Sequence, residues 1–429
     1  MKILMMVLQF PPAHRGGAEL QCWKQAKALA ARGHAVTVLT EWLWGSSPRR
    51  EIRDGVTVRR LGFFLPIATL AKRLHRWIRL RISPPSADQP DPFSSDGLLS
   101  PPDKPQRMFR WMELIEWLGH ASFILEAMVW MKLGRPDLDV VHAHESHWLA
   151  GFGYWMGEQI AAPVFCKEAC GSVLLWQGGG AVPGVAKWRQ RRDRCRFIAI
   201  TSHIRSGLER AGIAPDRIWE VPNGVELPEA IAQPERFERA VYAGNFSQGA
   251  VYKAFDMLLK AWGLAHRVES GMRLVLFGSG GMERWKQVAE REGCGNSVEF
   301  PGKTDDLRGE FLKSGFLVLP SRVEGLSNVL LEAQAVGLPA VVSDIGGNVA
   351  VVVDGNNGRV VPVGDAEALA AAMVELYRNP ALRAEMGQAA RTRIAENFDI
   401  GKIAARLEEA YRQAIEQDSA AGGGRHIDG

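Results

Sequence analysis

Short apolar runs alternate with amphipathic stretches along most of the chain, and their spacing predicts alternating strands and helices. Residues 2–9 predict a strand, residues 10–17 a loop ending in Gly16-Gly17, and residues 18–31 a helix that Arg32-Gly33 ends before a strand at 35–40. Strand, glycine turn, helix and strand make a βαβ unit. A long Trp-rich helix follows at 108–131, with strands at 139–142, 163–166 and 197–200. The sequence Val221-Pro-Asn-Gly-Val225 closes a first domain of residues 1–225, and a Pro- and Glu-containing linker runs to about 238. The same alternation then restarts. Strands are expected at 240–243, 273–277, 298–300, 316–319 and 340–342, with helices at about 255–265, 283–292 and 328–336. The second domain is expected to span 238–395, with a last helix at 396–416 crossing back to the first and a disordered tail at 417–429. The fold class is α/β with a parallel sheet in each domain.

A chain of 429 residues exceeds one ordinary core, which agrees with two domains. Its 46% hydrophobic and 23% charged residues are those of a soluble globular protein. No apolar run approaches the ~20 residues that cross a bilayer. The apolar start lacks a small-residue cleavage site and runs into a Pro-rich loop, so it reads as a first strand, not a leader. Five cysteines without paired metal spacing argue against a disulfide framework, and a cytoplasmic protein is expected. The net charge of +4 is too small to point to nucleic acid. Its distribution says more. Arg59, Arg60, Lys72, Arg73, Arg76, Arg79 and Arg81 lie in a stretch free of acids from Gly55 to Pro85, interleaved with Phe63, Phe64 and Trp77. Such a segment, residues 66–82 above all, suits the surface of an anionic membrane, or else is a surface helix with its apolar stripe turned inward. Residues 83–105, rich in Pro, Ser and Asp, are expected to be a mobile loop.

The chemistry concentrates between residues 316 and 343. The apolar run 316–319 ends at Pro320-Ser321, a Glu324-Gly325 turn follows, and a helix starts at about Ser327. Ser327 or Asn328 can cap that helix, Gly337 can end it and Pro339 prevents its continuation. Unpaired N–H groups at such a helix start bind phosphate. Glu324 lies just before the helix and Glu332 inside it, their backbones roughly 10 Å apart at ~1.5 Å per residue. One acid can hold hydroxyls on one side of a phosphate and the other acid those on the far side, which is the layout of a nucleotide sugar. The plainer alternative is a capping Glu and a solvated Glu.

The Glu324…Glu332 pair, with Gly325 after the first acid and Ala333 after the second, resembles the signature of the retaining glycosyltransferases of family 4. The resemblance extends from Lys2 to about Ile415, with a poorly matched stretch from about 61 to 137. It implies the GT-B fold, two Rossmann-like domains facing each other across a cleft. It further implies a UDP- or GDP-linked sugar as donor, a saccharide or lipid-linked acceptor, and neither metal nor cofactor. By resemblance, Glu324 would bond the sugar hydroxyls and Glu332 the ribose, while the amides of Leu326, Ser327 and Asn328 would hold the diphosphate. Lys253-Ala-Phe-Asp256 is similar to the family's Lys-Gly-Phe-Asp element, whose Lys stabilises the leaving phosphate. Glu324 and Lys253 are thus the expected catalytic pair. The Gly16-Gly17 turn would face the phosphates and the acceptor, and the turns holding Gly278 and Lys303 would face the nucleotide.

The sequence also departs from the family pattern. Asn245 stands where an Arg directly after Gly244 is usual, which removes one expected phosphate cation from the donor side. The segment 166–172 lacks the His or Asp of many relatives, leaving Lys167 and Glu168 at a strand end where ligands bind. His144, in a His-Ala-His element, is a further candidate for sugar or acceptor contact, and the pair shows no third metal ligand. Asp305-Asp306 reads as a helix-capping cluster. The expected activity is retaining transfer of a sugar to a hydroxyl, in bacterial cell-surface polysaccharide or glycolipid synthesis. The rival readings are a nucleotide-sugar epimerase or hydrolase, and a non-catalytic sugar-nucleotide-binding subunit suggested by Asn245.

Overall fold

The alternation of apolar runs and amphipathic helices closes into two parallel sheets in the computed structural model, which describes residues 1–11, 16–42, 48–63, 109–169, 182–191, 195–246 and 248–420. The first sheet comprises β1 (Lys2–Met6), β2 (Ala35–Glu41), β3 (Arg50–Arg53), β4 (Val56–Leu61), β5 (Val140–Ala143), β6 (Val164–Glu168), β7 (Arg196–Ala199) and β8 (Ile218–Glu220). Its order is β3-β4-β2-β1-β5-β6-β7-β8, parallel except for β3. The second comprises β9 (Arg239–Asn245), β10 (Arg273–Ser279), β11 (Val298–Gly302), β12 (Phe316–Leu319), β13 (Ala340–Ser343) and β14 (Gly358–Val361). Its order is β11-β10-β9-β12-β13-β14, parallel throughout. Buried on both faces, the strands read as continuous apolar runs such as Phe316–Leu319, as parallel sheets covered by helices do.

The helices that matter for the site are α1 (Gly17–Ala31), α2 (Phe109–Gly134), α3 (Trp148–Ile160), α4 (Val185–Gln190), α5 (Ser202–Arg210), α6 (Phe255–Val268), α7 (Met282–Arg291), α8 (Leu307–Leu312), α9 (Asn328–Ala335), α10 (Gly346–Val349), α11 (Ala366–Arg378), α12 (Pro380–Asn397) and α13 (Ile400–Asp418). α13 packs on α1, and its Ile403, Leu407 and Tyr411 share one apolar cluster with Ile3, Met5, Cys22 and Phe165. The chain passes between the two sheets at two neighbouring points. Val225 N–H donates to the Phe398 carbonyl at 2.9 Å, and Ile400 N–H to the Val225 carbonyl at 3.0 Å. The buried Arg383 fastens the linker by donating to the Pro234 carbonyl at 2.9 Å.

The hairpin β3–β4 corrects the expectation of one basic segment running from residue 59 onward. Asp54 and Gly55 both have positive φ (48° and 77°), the turn that suits two twisted strands. Arg60 is buried on β4 and donates to Glu51 at 2.6 Å and to the Pro48 carbonyl at 2.9 Å, so it presents no charge to a surface. The remaining basic positions at 66–82, the loop at 83–105 and the tail from 421 lie outside the described residues. At the other end, α13 continues to Asp418, two residues beyond the expected stop.

The two sheets meet with their carboxyl ends facing. Ala169, just after β6, lies so close to the turn before α9 that a Cβ on Gly325 would come within 1.7 Å of the Ala169 carbonyl oxygen. Glycine at 325 lets the second domain approach the first at this point. The apolar cluster is continuous there, running from Phe197 and Ile200 on one side to Leu326 and Leu330 on the other.

Candidate functional site at the facing sheet edges

The strand order sets the site. From β9 the chain winds outward through β10 and β11, then returns to the opposite side of β9 with β12, so the loops after β9 and β12 leave a crevice between them. Lys253 comes from the first loop and Glu324 from the second, and their side chains form an ion pair. Ser321 Oγ donates to the same carboxylate oxygen, Oε1, at 2.9 Å. Arg322 ties the two loops together. Its guanidinium donates to both carboxylate oxygens of Asp256 at 2.9 and 2.6 Å and to the Val251 carbonyl at 3.0 Å, while its backbone N–H donates to the Tyr252 carbonyl at 2.7 Å. The hydrogen bonds that Arg322 donates to Asp256 hold its pKa above its ordinary value. Asp256 of the Lys-Ala-Phe-Asp element therefore fixes Lys253 indirectly. Ala254 adopts φ 55° where the family pattern has glycine, a left-handed conformation that L-residues rarely take.

Helix α9 starts where the sequence places it. Ser327 caps it, accepting from Leu330 N–H at 3.4 Å, and Gly337 follows with φ 83°. The earlier first-turn amides have no intrahelical partner by construction and carry the positive end of the helix dipole. One face of α9 is joined to α1 of the first domain. Asn328 Nδ2 donates to the Gly17 carbonyl at 3.0 Å, Gln21 Nε2 donates to Asn328 Oδ1 at 2.9 Å, and Lys24 pairs with Glu332 at 2.7 Å. Asn223, in the segment after β8, donates to Asn328 Oδ1 at 3.2 Å. The structure thus brings Gly17, Leu326, Ser327, Asn328 and Glu332 together with Lys253 and Glu324 around the cleft. Gly16 precedes α1 as its cap.

Other expected positions lie on the same rim. Gly278 has φ 155°, and a Cβ there would meet the Gly244 carbonyl oxygen at 1.8 Å. Asn245 is exposed at the end of β9, opposite Ser279 of β10, and Lys303 is exposed just after β11. Asp306 caps α8, accepting from Gly309 N–H at 2.9 Å.

Sequence reasoning missed Tyr242, Arg322 and Lys24. The Tyr242 hydroxyl is buried without a hydrogen-bond partner among the described residues, and burial together with the Glu324 charge holds its pKa well above the ordinary value. No spacing rule marks a tyrosine inside an apolar strand. The signal for Lys24 was its place on the same helical face as Gly17 and Gln21.

His144, Lys167 and Glu168 sit at the ends of β5 and β6. Glu168 accepts from Ser146 Oγ at 2.7 Å. His144 and Lys167 are buried beneath α1, near Cys22, with His142 alongside; the two imidazole rings stack at 4.4 Å, and His142 Nδ1 meets the Tyr411 hydroxyl at 2.6 Å. Burial pushes His142 down to about 3 and His144 well below its ordinary value, so both rings are neutral near pH 7. Lys167 Nζ has no hydrogen-bond partner among the described residues, and burial pushes it down to about 8.

Comparisons with known proteins agree with the fold. The family model described as Glycosyl transferases group 1 matches residues 238–379, and that described as Glycosyl transferase 4-like domain matches residues 16–224. The fold and the facing edges are those of the GT-B architecture. The D-inositol 3-phosphate glycosyltransferase of Streptomyces bingchenggensis is 32% identical over 96% of this chain and 90% of its own length. The chain belongs to the group 1 glycosyltransferases and is a glycosyltransferase enzyme. A glycogen synthase of Mycobacterium tuberculosis is 26% identical over 96% of this chain and 95% of its own. Among solved structures, sucrose-phosphate synthase from Thermosynechococcus elongatus superposes with a TM-score of 0.69 at 19% identity, covering 97% of this chain and 99% of its own. Anabaena HepE in complex with UDP and glucose gives 0.63 at 17% identity, covering 96% and 100%.

Lys167 provides a test of this electrostatic picture. Its folded pKa lies below the 10.5 of an exposed lysine, so between about pH 8 and 10.5 the unfolded chain binds more protons and stability rises with pH. Lys167→Met is therefore expected to raise the melting temperature at pH 7, with the gain over wild type shrinking as pH approaches 10. A gain that does not change with pH would mean that folding does not lower the Lys167 pKa.

Proposed function

We propose that the protein transfers a sugar, with retention of anomeric configuration, from a nucleoside diphosphate sugar to an acceptor hydroxyl. The observation that carries this reading is the meeting of Lys253 and Glu324 at the β9/β12 switch point, with Glu332 farther along the helix whose start they flank. Glu324 bonds the sugar hydroxyls, Glu332 the ribose, and the first amides of α9 with Lys253 the diphosphate. As the bond between anomeric carbon and phosphate oxygen breaks, its electrons pass to the phosphate, and Lys253 stabilises that charge. The acceptor oxygen bonds the anomeric carbon on the same face, and its proton goes to a phosphate oxygen. No enzyme nucleophile is used, in contrast to a route through a covalent glycosyl intermediate. Approach of the two domains excludes water and suppresses hydrolysis.

UDP as the nucleotide is supported by solved structures of the same fold, since HepE was crystallised with UDP-glucose and Staphylococcus aureus TarM with UDP. The acceptor we propose is a saccharide or lipid-linked saccharide used in bacterial cell-surface synthesis, met in the cytoplasm at the inner face of the membrane. Support for the last point is the basic sequence 66–82 alone. Deleting those residues is expected to abolish co-sedimentation with anionic vesicles, and unchanged sedimentation would remove the membrane from the account.

For the chemistry, Glu324→Ala is expected to abolish transfer with the melting profile retained, and Lys253→Ala to raise the barrier by about 2–4 kcal/mol. Proton NMR of the product is expected to show the donor's anomeric configuration. Full turnover by Glu324→Ala, or an inverted product, would refute the assignment.

A further inference from the structure

The mechanism leaves Lys24 unused, yet among the described residues it makes an ionic contact across the cleft. Each of the two acids that flank the start of α9 carries a lysine: Glu324 pairs with Lys253 of its own domain, and Glu332 with Lys24 of the other, at 2.7 Å. The Lys24–Glu332 pair is largely sheltered, with side chains 18% and 32% exposed. A diphosphate held at that helix start would lie between two carboxylates, whose charges repel it unless each is balanced. With both lysines in place the four side chains sum to zero charge. Lys253 is local, so that half of the balance is present in the second domain alone. The other half arrives only with α1.

We propose that Lys24 is a positioning residue of the donor site, which neutralises and orients Glu332 from across the cleft so that an anionic nucleotide can bind beside it. This rests on the reading of the donor as a nucleoside diphosphate sugar and goes beyond it by assigning a first-domain cation to the ribose end. Gly17, Gln21 and Lys24 follow one another along one face of α1, and Asn328 and Glu332 along one face of α9. The Gln21–Asn328 and Gly17–Asn328 hydrogen bonds hold the two helices together independently of the ion pair, at 2.9 and 3.0 Å. They keep the ammonium over Glu332, and they allow the lysine to be replaced without losing the seam. Asn245 gives the arrangement added weight. With no arginine after Gly244, the second domain has less positive charge of its own, and a cation from the first domain matters more.

The test is calorimetric titration of UDP and of GDP into wild type, Lys24→Met and Lys24→Arg, at low and high salt. Lys24→Met keeps the length of the side chain and removes its charge. For whichever nucleotide binds wild type, the Met variant is expected to bind about tenfold more weakly at ~0.05 M salt, with the gap narrowing to about threefold or less at ~0.5 M as screening shortens. Lys24→Arg is expected to stay near wild type. Equal or tighter binding by Lys24→Met would overturn the proposal, since the ammonium would then be competing with the ribose for Glu332. A loss that is insensitive to salt and shared by the Arg variant would also overturn it, marking a purely structural seam. If wild type binds neither nucleotide, the donor reading beneath the proposal fails instead.

Discussion

Carboxylates placed beside an anion-binding helix start are useful only if something offsets their charge, and this constraint organises the cleft. In the proposed donor complex, a bare Glu324 would repel the phosphate whose sugar it holds. The sheet order answers this by returning β12 to the side of β9, so that the loop bearing Lys253 closes on the loop bearing Glu324. Arg322 and Asp256 then clamp those loops with four hydrogen bonds, so the lysine is held by the scaffold and not only by the charge it serves. Half-exposed pairs such as Arg322–Asp256 add little to global stability. Their effect is on position.

The same constraint explains why two domains are needed. One face of the first two turns of α1 reaches α9 through Gly17, Gln21 and Lys24, and the glycine at 325 admits the β6 end to contact distance. The chain crosses between domains at the paired segments around Val225 and Asp399, which lie beside one another and can act as one pivot. In the structure α1 and α9 are joined at this seam, and Lys24 balances the charge of Glu332 there.

Much of this was legible in the residues. The strands at 273–277, 316–319 and 340–342 show as apolar runs because both faces of each sheet are covered, and the start of α9 shows through Ser327, Gly337 and Pro339. The hairpin at 50–61 was missed although Asp54-Gly55 is a strong turn signal, because the arginines of β4 draw attention as charge and not as strand positions. Arg60 illustrates the reason: a cation pattern says nothing of burial until its partner, Glu51, is known to lie opposite. The clustering of Lys24, Asn328 and Glu332 joins residues more than three hundred positions apart, and no local pattern encodes a contact of that range. Lys167, flagged from its place at a strand end, was found there, but its burial beneath α1 depends on how the helix lies across the sheet.

The account turns on a nucleoside diphosphate sugar binding in this cleft. The most direct test is a thermal-shift series with UDP, GDP, ADP and dTDP and their common sugar conjugates, followed by titration of the best ligand. One nucleotide sugar is predicted to stabilise the protein by a few kcal/mol at saturation, more than its free nucleotide does. Folded protein that responds to none of them would contradict the assignment of Glu324, Glu332 and Lys253 as a donor site.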